Sequence, residues 1–297
     1  MYLKLVTVGL CLKLYIMFRS RYLSLESLFL ARQPHPFGSG TGLPRNVMTE
    51  IPKSHPRHAS LVLRERLVDG FREGVVVPQG LIAHGRGEMF DYVLGERTVK
   101  EARVASKAAA ALLLGTKKAV ISVNGNVAAL CAEDIVRLSE EADARIEVNL
   151  FHRTDERVSK IKKLLEDHGG REVLGFLPDA RIPGLDHLRA LSSSEGVFSA
   201  DVVLIPLEDG DRAEALAKMG KKTIAIDLNP LSRTSRSATV TIVDEVTRAI
   251  PELIRNCEDL RQDKAGAKKA FAAYDKNENL AKIMKIMCSN LQKPRPR

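Results

Sequence analysis

The sequence predicts an α/β protein, a parallel sheet flanked by helices with a helical segment before the first strand. Three observations carry this expectation. Short apolar runs alternate with helix-patterned segments from residue 119 to residue 260, and uniformly apolar strands in such alternation mark a parallel sheet covered on both faces. Helical patterning without strand alternation precedes that stretch. The composition, 44% hydrophobic and 28% charged residues, is that of a globular chain.

From Ser60 to Gly74, the residues Leu61, Leu63, Leu67, Val68 and Phe71 share one helical face. Val75–Val77 reads as a strand stopped by Pro78, and Gly85-Arg86-Gly87-Glu88 as a break before a helix with Met89, Phe90, Tyr92 and Val93. An Ala-rich helix is expected over 98–115. The run 119–123 is a buried strand, Asn124-Gly125-Asn126 a turn, and a helix follows to Asp143. Residues 145–150 form the next strand and 154–168 the next helix. Val173 to Phe176 follows, then a loop through Arg181 to Asp186. Residues 200–205 are a strand, and Glu208 to Arg212 opens a helix. Residues 222–226 and 238–242 complete the strands, with a closing helix from Glu245 to about Leu260.

The formal charge of +9 belongs to the ends of the chain. Residues 1–47 carry six Lys/Arg against one acid, and residues 261–297 carry ten against three, whereas 48–260 has 30 bases against 33 acids. A nucleic-acid groove on the folded body therefore loses its electrostatic basis. Residues 1–47 read as an apolar, charge-interrupted leader and a Pro/Gly/Ser linker, disordered or not translated, and 261–297 as a basic amphipathic helical tail. Lys4, Lys13, Arg19 and Arg21 break the leader, so a spanning helix is not expected. The four cysteines form no C-x-x-C pair, which suits reduced thiols and a cytoplasmic location.

In a parallel sheet ligands bind beyond the carboxyl ends of the strands, so the loops after each strand are where chemistry is expected. They contain no Walker A string and no G-x-G-x-x-G fingerprint. Arg57, Arg64, Arg86, Arg233 and Arg236 lie in or beside loops, a set suited to a ligand with several anionic groups. Each has a plainer reading as a partner of a nearby acid, such as Glu88 for Arg86. Asp227 either binds a ribose or metal ion or caps the turn after it. His84 reads as a proton carrier or phosphate donor, or as a structural histidine. No spacing marks a covalent nucleophile.

Seven strings together resemble one family: Ile51-Pro-Lys-Ser-His-Pro-Arg57, Gly80-Leu-Ile-Ala-His-Gly-Arg-Gly-Glu88, Ile121-Ser-Val-Asn-Gly-Asn-Val-Ala-Ala-Leu130, Val148-Asn-Leu-Phe151 with Arg153-Thr154, Ile182-Pro-Gly-Leu185, Pro206-Leu-Glu-Asp-Gly-Asp-Arg212 and Ile226-Asp-Leu-Asn-Pro-Leu-Ser-Arg233. The sequence is similar, over Ile51 to Leu260, to the archaeal 4-phosphopantoate–β-alanine ligases, also called phosphopantothenate synthetases. The resemblance implies a Rossmann-like ligase domain over 48–260. It implies activation of the 4-phosphopantoate carboxylate by ATP as an acyl-adenylate, then attack by β-alanine to give 4′-phosphopantothenate for coenzyme A. Mg²⁺ is expected to accompany the triphosphate, and a homodimer without nucleic-acid or membrane partners is implied.

By the same resemblance the ATP contacts fall on Arg64, Arg86, Asp227, Leu228, Asn229, Arg233, Thr234, Glu245 and Val246. His84, Asn124, Asn126 and Arg236 are candidates for the other substrates. The family commonly has Asn where this chain has Glu245, and a carboxylate accepts from an adenine amino group but does not donate. A non-catalytic nucleotide-binding regulator on the same fold would need the same anion-holding loops and stands as the second reading.

Overall fold

A computed structural model describes residues 51–292, and the predicted leader lies outside them. Three helices come first: α1 (His58–Arg72), α2 (Pro78–Leu94) and α3 (Lys100–Leu114). Strand–helix alternation follows with β1 (Ala119–Val123), α4 (Gly125–Ala142), β2 (Ala144–Val148) and α5 (Asp155–Asp167). The small hairpin strands β3 (Ala180–Arg181) and β4 (Leu191–Ser192) interrupt it. The alternation resumes with β5 (Val202–Pro206), α6 (Gly210–Lys218), β6 (Lys222–Ile226), α7 (Arg233–Ser237), β7 (Val240–Ile242) and α8 (Val246–Arg261). After Leu260 the chain forms α9 (Lys264–Ala272) and α10 (Lys276–Gln292).

The main sheet runs β2-β1-β5-β6-β7, and every pair in it is parallel. This is the parallel, helix-flanked sheet that the strand–helix alternation predicted, in the Rossmann-like form that the resemblance implied. All residues of β1 and β5 are buried, which explains their unbroken apolar runs. Successive side chains feed opposite faces. Ile121 and Leu204 enter the core shared with α1, α3, α4 and α8, whereas Val120 and Val203 enter a smaller core with Ile182, Leu216 and Ala225. On α3, Ala105, Ala108 and Ala109 are fully buried, and their short side chains let the helix pack closely against α8 and α9.

Several elements differ from the sequence reading. Val75–Val77 is not a strand: the N–H groups of Val75 and Val76 both donate to the Gly70 carbonyl, folding the segment back on the end of α1. Gly85-Arg86-Gly87 is not a break but lies inside α2, which starts at Pro78, where a missing N–H is harmless. Each helical glycine costs about 1 kcal/mol against alanine, and at Gly80 close packing requires one. A Cβ at Gly80 would stand 2.3 Å from Asn126 Oδ1, and the Asn126 amide donates to the Gly80 carbonyl at 2.8 Å. The segment after Asn229 coils into α7, its Ser232 hydroxyl accepting from the Ser235 N–H. Residues after Leu260 form two helices rather than one, and α10 buries Leu280, Ile283 and Met287 against α2 and α3.

Candidate active site

In the order β2-β1-β5, the chain leaves β1 for β2 and later returns to the other side of β1. That reversal opens a crevice beyond the carboxyl ends of β1 and β5. A cleft of about 560 Å³ occupies the place, lined by the loops after all five strands and by α2. Asn124 closes its floor. Its Oδ1 accepts from the Val127 N–H at 3.1 Å, and its Nδ2 donates to the carbonyls of Pro206 at 3.2 Å and Leu207 at 3.0 Å. Leu207 holds a left-handed backbone, φ 52°, which a β-carbon disfavours. The Asn124 amide bond to its carbonyl helps to hold it there.

Beyond β6, Asp227 accepts from the Asn229 N–H at 2.9 Å and the Ser232 hydroxyl at 2.5 Å. Burial nevertheless raises its pKa, against the Ser232 bond and the nearby Arg86 charge. Leu228 is buried beside it. The Thr234 hydroxyl donates to the Glu208 carbonyl at 2.8 Å, fastening α7 to the loop after β5. Arg233 grips Glu214 with two bonds, at 2.9 and 2.7 Å. Beyond β7, Glu245 caps α8 by accepting from the Thr247 N–H through Oε2 at 2.8 Å, next to buried Val246. Burial pushes the Glu245 carboxyl up despite this bond.

On α2, Arg86 reaches the cleft wall, and the expected alternative partner is taken. Glu88 instead accepts from Arg64 at 3.1 and 2.7 Å and from the Tyr92 hydroxyl at 2.6 Å, with Arg57 at 3.7 Å. Burial works to raise the Glu88 pKa, but these bonds outweigh it and hold the carboxyl below its ordinary value. His84 lines the same wall, and burial lowers its pKa, so the neutral imidazole prevails near pH 7.

The cleft wall therefore gathers His84, Arg86, Asn124, Asn126, Asp227, Leu228, Asn229, Arg233, Thr234, Glu245 and Val246. It does not include Arg64, whose guanidinium is held by Glu88, or Arg236, which donates to the Leu231 carbonyl at 3.1 and 2.8 Å.

Three wall arginines escaped the sequence reading. Arg248 bridges Asp91 and Asp244 at 2.5 and 2.7 Å, tying α2 to the end of β7. Burial opposes its charge, but the two carboxylates raise its pKa overall. Arg189 pairs with Glu208 and with Asp209 at 3.0 Å. Arg157, on α5, donates to the carbonyls of Val75 and His152, both at 2.8 Å. Proximity to a loop was the signal used for the other arginines. It fails for Arg157 and Arg248, which lie on helices whose facing surfaces only the tertiary fold reveals.

Among the described residues no group of three potential metal ligands occurs. The Cys131 thiol is pushed well above its ordinary range, chiefly by burial, which suits a packed side chain rather than a nucleophile.

Comparison with known proteins adds a direct relationship. A family model described as phosphopantothenate/pantothenate synthetase matches residues 101–290. The match passes through α9 into α10, past Leu260, where the sequence reading ended its resemblance. The chain is 58% identical over 213 residues to the 4-phosphopantoate–β-alanine ligase of Methanospirillum hungatei, covering 72% of this chain and 87% of that relative. It is 49% identical over 246 residues to the ligase of that name from Methanosarcina mazei, covering 82% and 97%. Identity to the Thermococcus kodakarensis ligase is 46% over 239 residues, covering 80% and 92%.

Proposed function

Because this chain belongs to the phosphopantothenate/pantothenate synthetase family, we infer that it is a 4-phosphopantoate–β-alanine ligase, joining the two substrates through an adenylate. Identity of 46–58% across nearly the full length of the relatives carries this conclusion. The cleft at the sheet's switch point supports it, since polar loops there surround a space large enough for small ligands.

In the first half-reaction a carboxylate oxygen of 4-phosphopantoate bonds to the α-phosphorus of ATP, and pyrophosphate leaves. In the second, the β-alanine nitrogen bonds to the acyl carbon, the acyl–oxygen bond to AMP breaks, and the nitrogen gives up a proton. Neither step needs an enzyme nucleophile. They need fixed donors and held orientation. In this reading Arg86 holds nucleotide phosphates, Asp227, Leu228, Asn229 and Thr234 shape the nucleoside pocket, and Glu245 and Val246 meet the base. Arg64, held by Glu88, lies outside the cleft wall, and the resemblance to the ligases is what gives it to the nucleotide. Arg233 must share its fork with Glu214 or leave it. Asn124 and Asn126 spend their amides on protein carbonyls, so their part is to shape the crevice. Mg²⁺ bound to the triphosphate would shield its charge.

We further propose a cytoplasmic homodimer without nucleic-acid or membrane partners. Ile82 and Met89, two turns apart on α2, are 74% and 59% exposed, an apolar stripe suited to a second copy. The excess of acids over bases in 48–260 argues against a phosphate backbone as a partner. Among the described residues no helix is long and apolar enough to cross a membrane.

Incubation of the purified protein with ATP, Mg²⁺, 4-phosphopantoate and β-alanine should yield AMP, pyrophosphate and 4′-phosphopantothenate, read by mass spectrometry. ADP as the nucleotide product would overturn the adenylate and indicate an acyl-phosphate instead.

A further inference from the structure

Several carboxylates on the cleft wall are already engaged. Asp227 holds the Asn229 N–H and the Ser232 hydroxyl, Asp209 pairs with Arg189, Asp91 pairs with Arg248, and Glu245 caps α8. Glu88 is held by Arg64 and Tyr92. His84 differs from all of these. Neither of its ring nitrogens makes a hydrogen bond among the described residues, although the side chain lines the cleft. His152, also on that wall, is exposed and packs edge-on against Phe151, with ring centroids 5.1 Å apart.

The placement of His84 follows from α2. Residues four apart on a helix share a stripe, and Gly80, His84 and Glu88 form one. At one end of the stripe the Gly80 carbonyl accepts from the Asn126 amide, in the first turn of α4, at 2.8 Å. At the other end Glu88 accepts from Arg64 of α1 at 2.7 Å. A different side of α2 faces the loop after β6: a Cβ at Gly87 would stand 3.8 Å from Leu228 Cδ1, and the Arg86 charge acts on Asp227. The helix thus spans the cleft, with Arg86 toward the nucleotide loops and His84 toward the loop after β1. Burial works against a charged His84 ring and Arg64 from α1 adds to this, whereas Glu88 and Asp91 on α2 act in the opposite sense. The ring is a neutral base with a free nitrogen near pH 7, and Glu88, one turn away, steadies the imidazolium once a proton arrives.

We propose that His84 is the general base of the second half-reaction, its unpaired ring nitrogen taking the proton that the β-alanine ammonium must lose before it attacks. This rests on the ligase reading. The nitrogen lone pair then bonds to the acyl carbon, and the acyl–oxygen electron pair leaves with AMP. The second proton on nitrogen goes to the departing phosphate, so atoms and charge balance. The first half-reaction moves no proton, because a carboxylate displaces pyrophosphate directly. It has no use for a base at His84, and the two half-reactions should respond differently to its loss.

The test separates the half-reactions in the full chain and in His84→Gln and His84→Asn. Exchange of labelled pyrophosphate into ATP, dependent on 4-phosphopantoate, reports the first half-reaction. It should stay within about threefold of the unaltered protein, which also shows that the cleft is intact. Amide formation with β-alanine should fall about 100- to 10,000-fold, the range for a lost general base. Hydroxylamine, which is unprotonated at neutral pH, should still capture the acyl group at nearly the unaltered rate. Equal loss of exchange and amide formation would overturn the proposal, since His84 would then hold the acid or the nucleotide. Equal loss with both nucleophiles, or an undiminished rate with β-alanine, would overturn it too. Failure of the unaltered protein to exchange pyrophosphate at all would instead overturn the ligase reading, and this proposal with it.

Discussion

Glu208→Ala is expected to lower folding stability by about 3–5 kcal/mol, the cost of breaking a buried ion pair by removing one partner. The Glu208 side chain is only 2% exposed and serves two guanidinium groups. Its Oε2 accepts from Arg212 at 2.5 Å, and its Oε1 pairs with Arg189. Arg212 has no exposed surface, and its other side-chain bond is to the Ser122 hydroxyl at 2.9 Å. Burial lowers both arginines to about 10, a sign of how strongly each depends on its countercharge. Without Glu208, Arg189 keeps Asp209, but Arg212 is left with the more distant carboxylates. Urea unfolding followed by circular dichroism measures the loss. A change below about 1 kcal/mol, the level of an exposed pair such as Arg137–Glu258, would show that water or rearrangement compensates these cations.

Arg86→Lys should lower kcat/KM by about ten- to a hundredfold, or roughly 1.5–3 kcal/mol, because a point charge replaces a fork that can hold two oxygens of one phosphate. The competing account, a tolerant surface pair between Arg86 and Glu88, does not match the geometry, since Glu88 is engaged by Arg64 and Tyr92. Glu88→Gln should act differently. It frees Arg64 from its two-point hold and should raise KM for ATP more than it lowers kcat. Steady-state kinetics with varied ATP separates the two variants. A change in kcat/KM smaller than about threefold for Arg86→Lys would remove Arg86 from the nucleotide site.

The sheet was legible in the sequence because β1, β5 and β6 are buried nearly throughout, so their apolar runs stand out from the amphipathic helices between them. The start of α2 was not legible. Gly85 and Gly87 read locally as a break, and the contact that calls for a glycine at Gly80 is with Asn126, 46 residues away. The same distinction governs the cleft. Asp227, Asn229 and Glu245 follow strands directly, so topology alone assigns them to the ligand face. Arg157 and Arg248 reach the cleft from helices, and Glu88 owes its two-point partner to α1. Their roles depend on packing that hydrophobic periodicity does not encode.

The last helix carries a consequence for how the protein is made. Asn290 donates its amide to the carbonyls of Val93 and Leu94 at 3.0 and 3.1 Å, closing the end of the helix that bears Arg86 and Glu88. Lys276 donates to the carbonyls of Arg236 and Ala238 at 2.6 and 2.8 Å, bracing the end of the helix that begins with Arg233 and Thr234. These braces follow every strand in chain order, and residues 261–297 take about 2–7 s to add at ordinary elongation rates. For that interval the nascent chain already contains every strand of the sheet, while two walls of its cleft lack their supports. Translation that stops early in this stretch would leave a chain with a complete β-sheet sequence and an unbraced catalytic cleft.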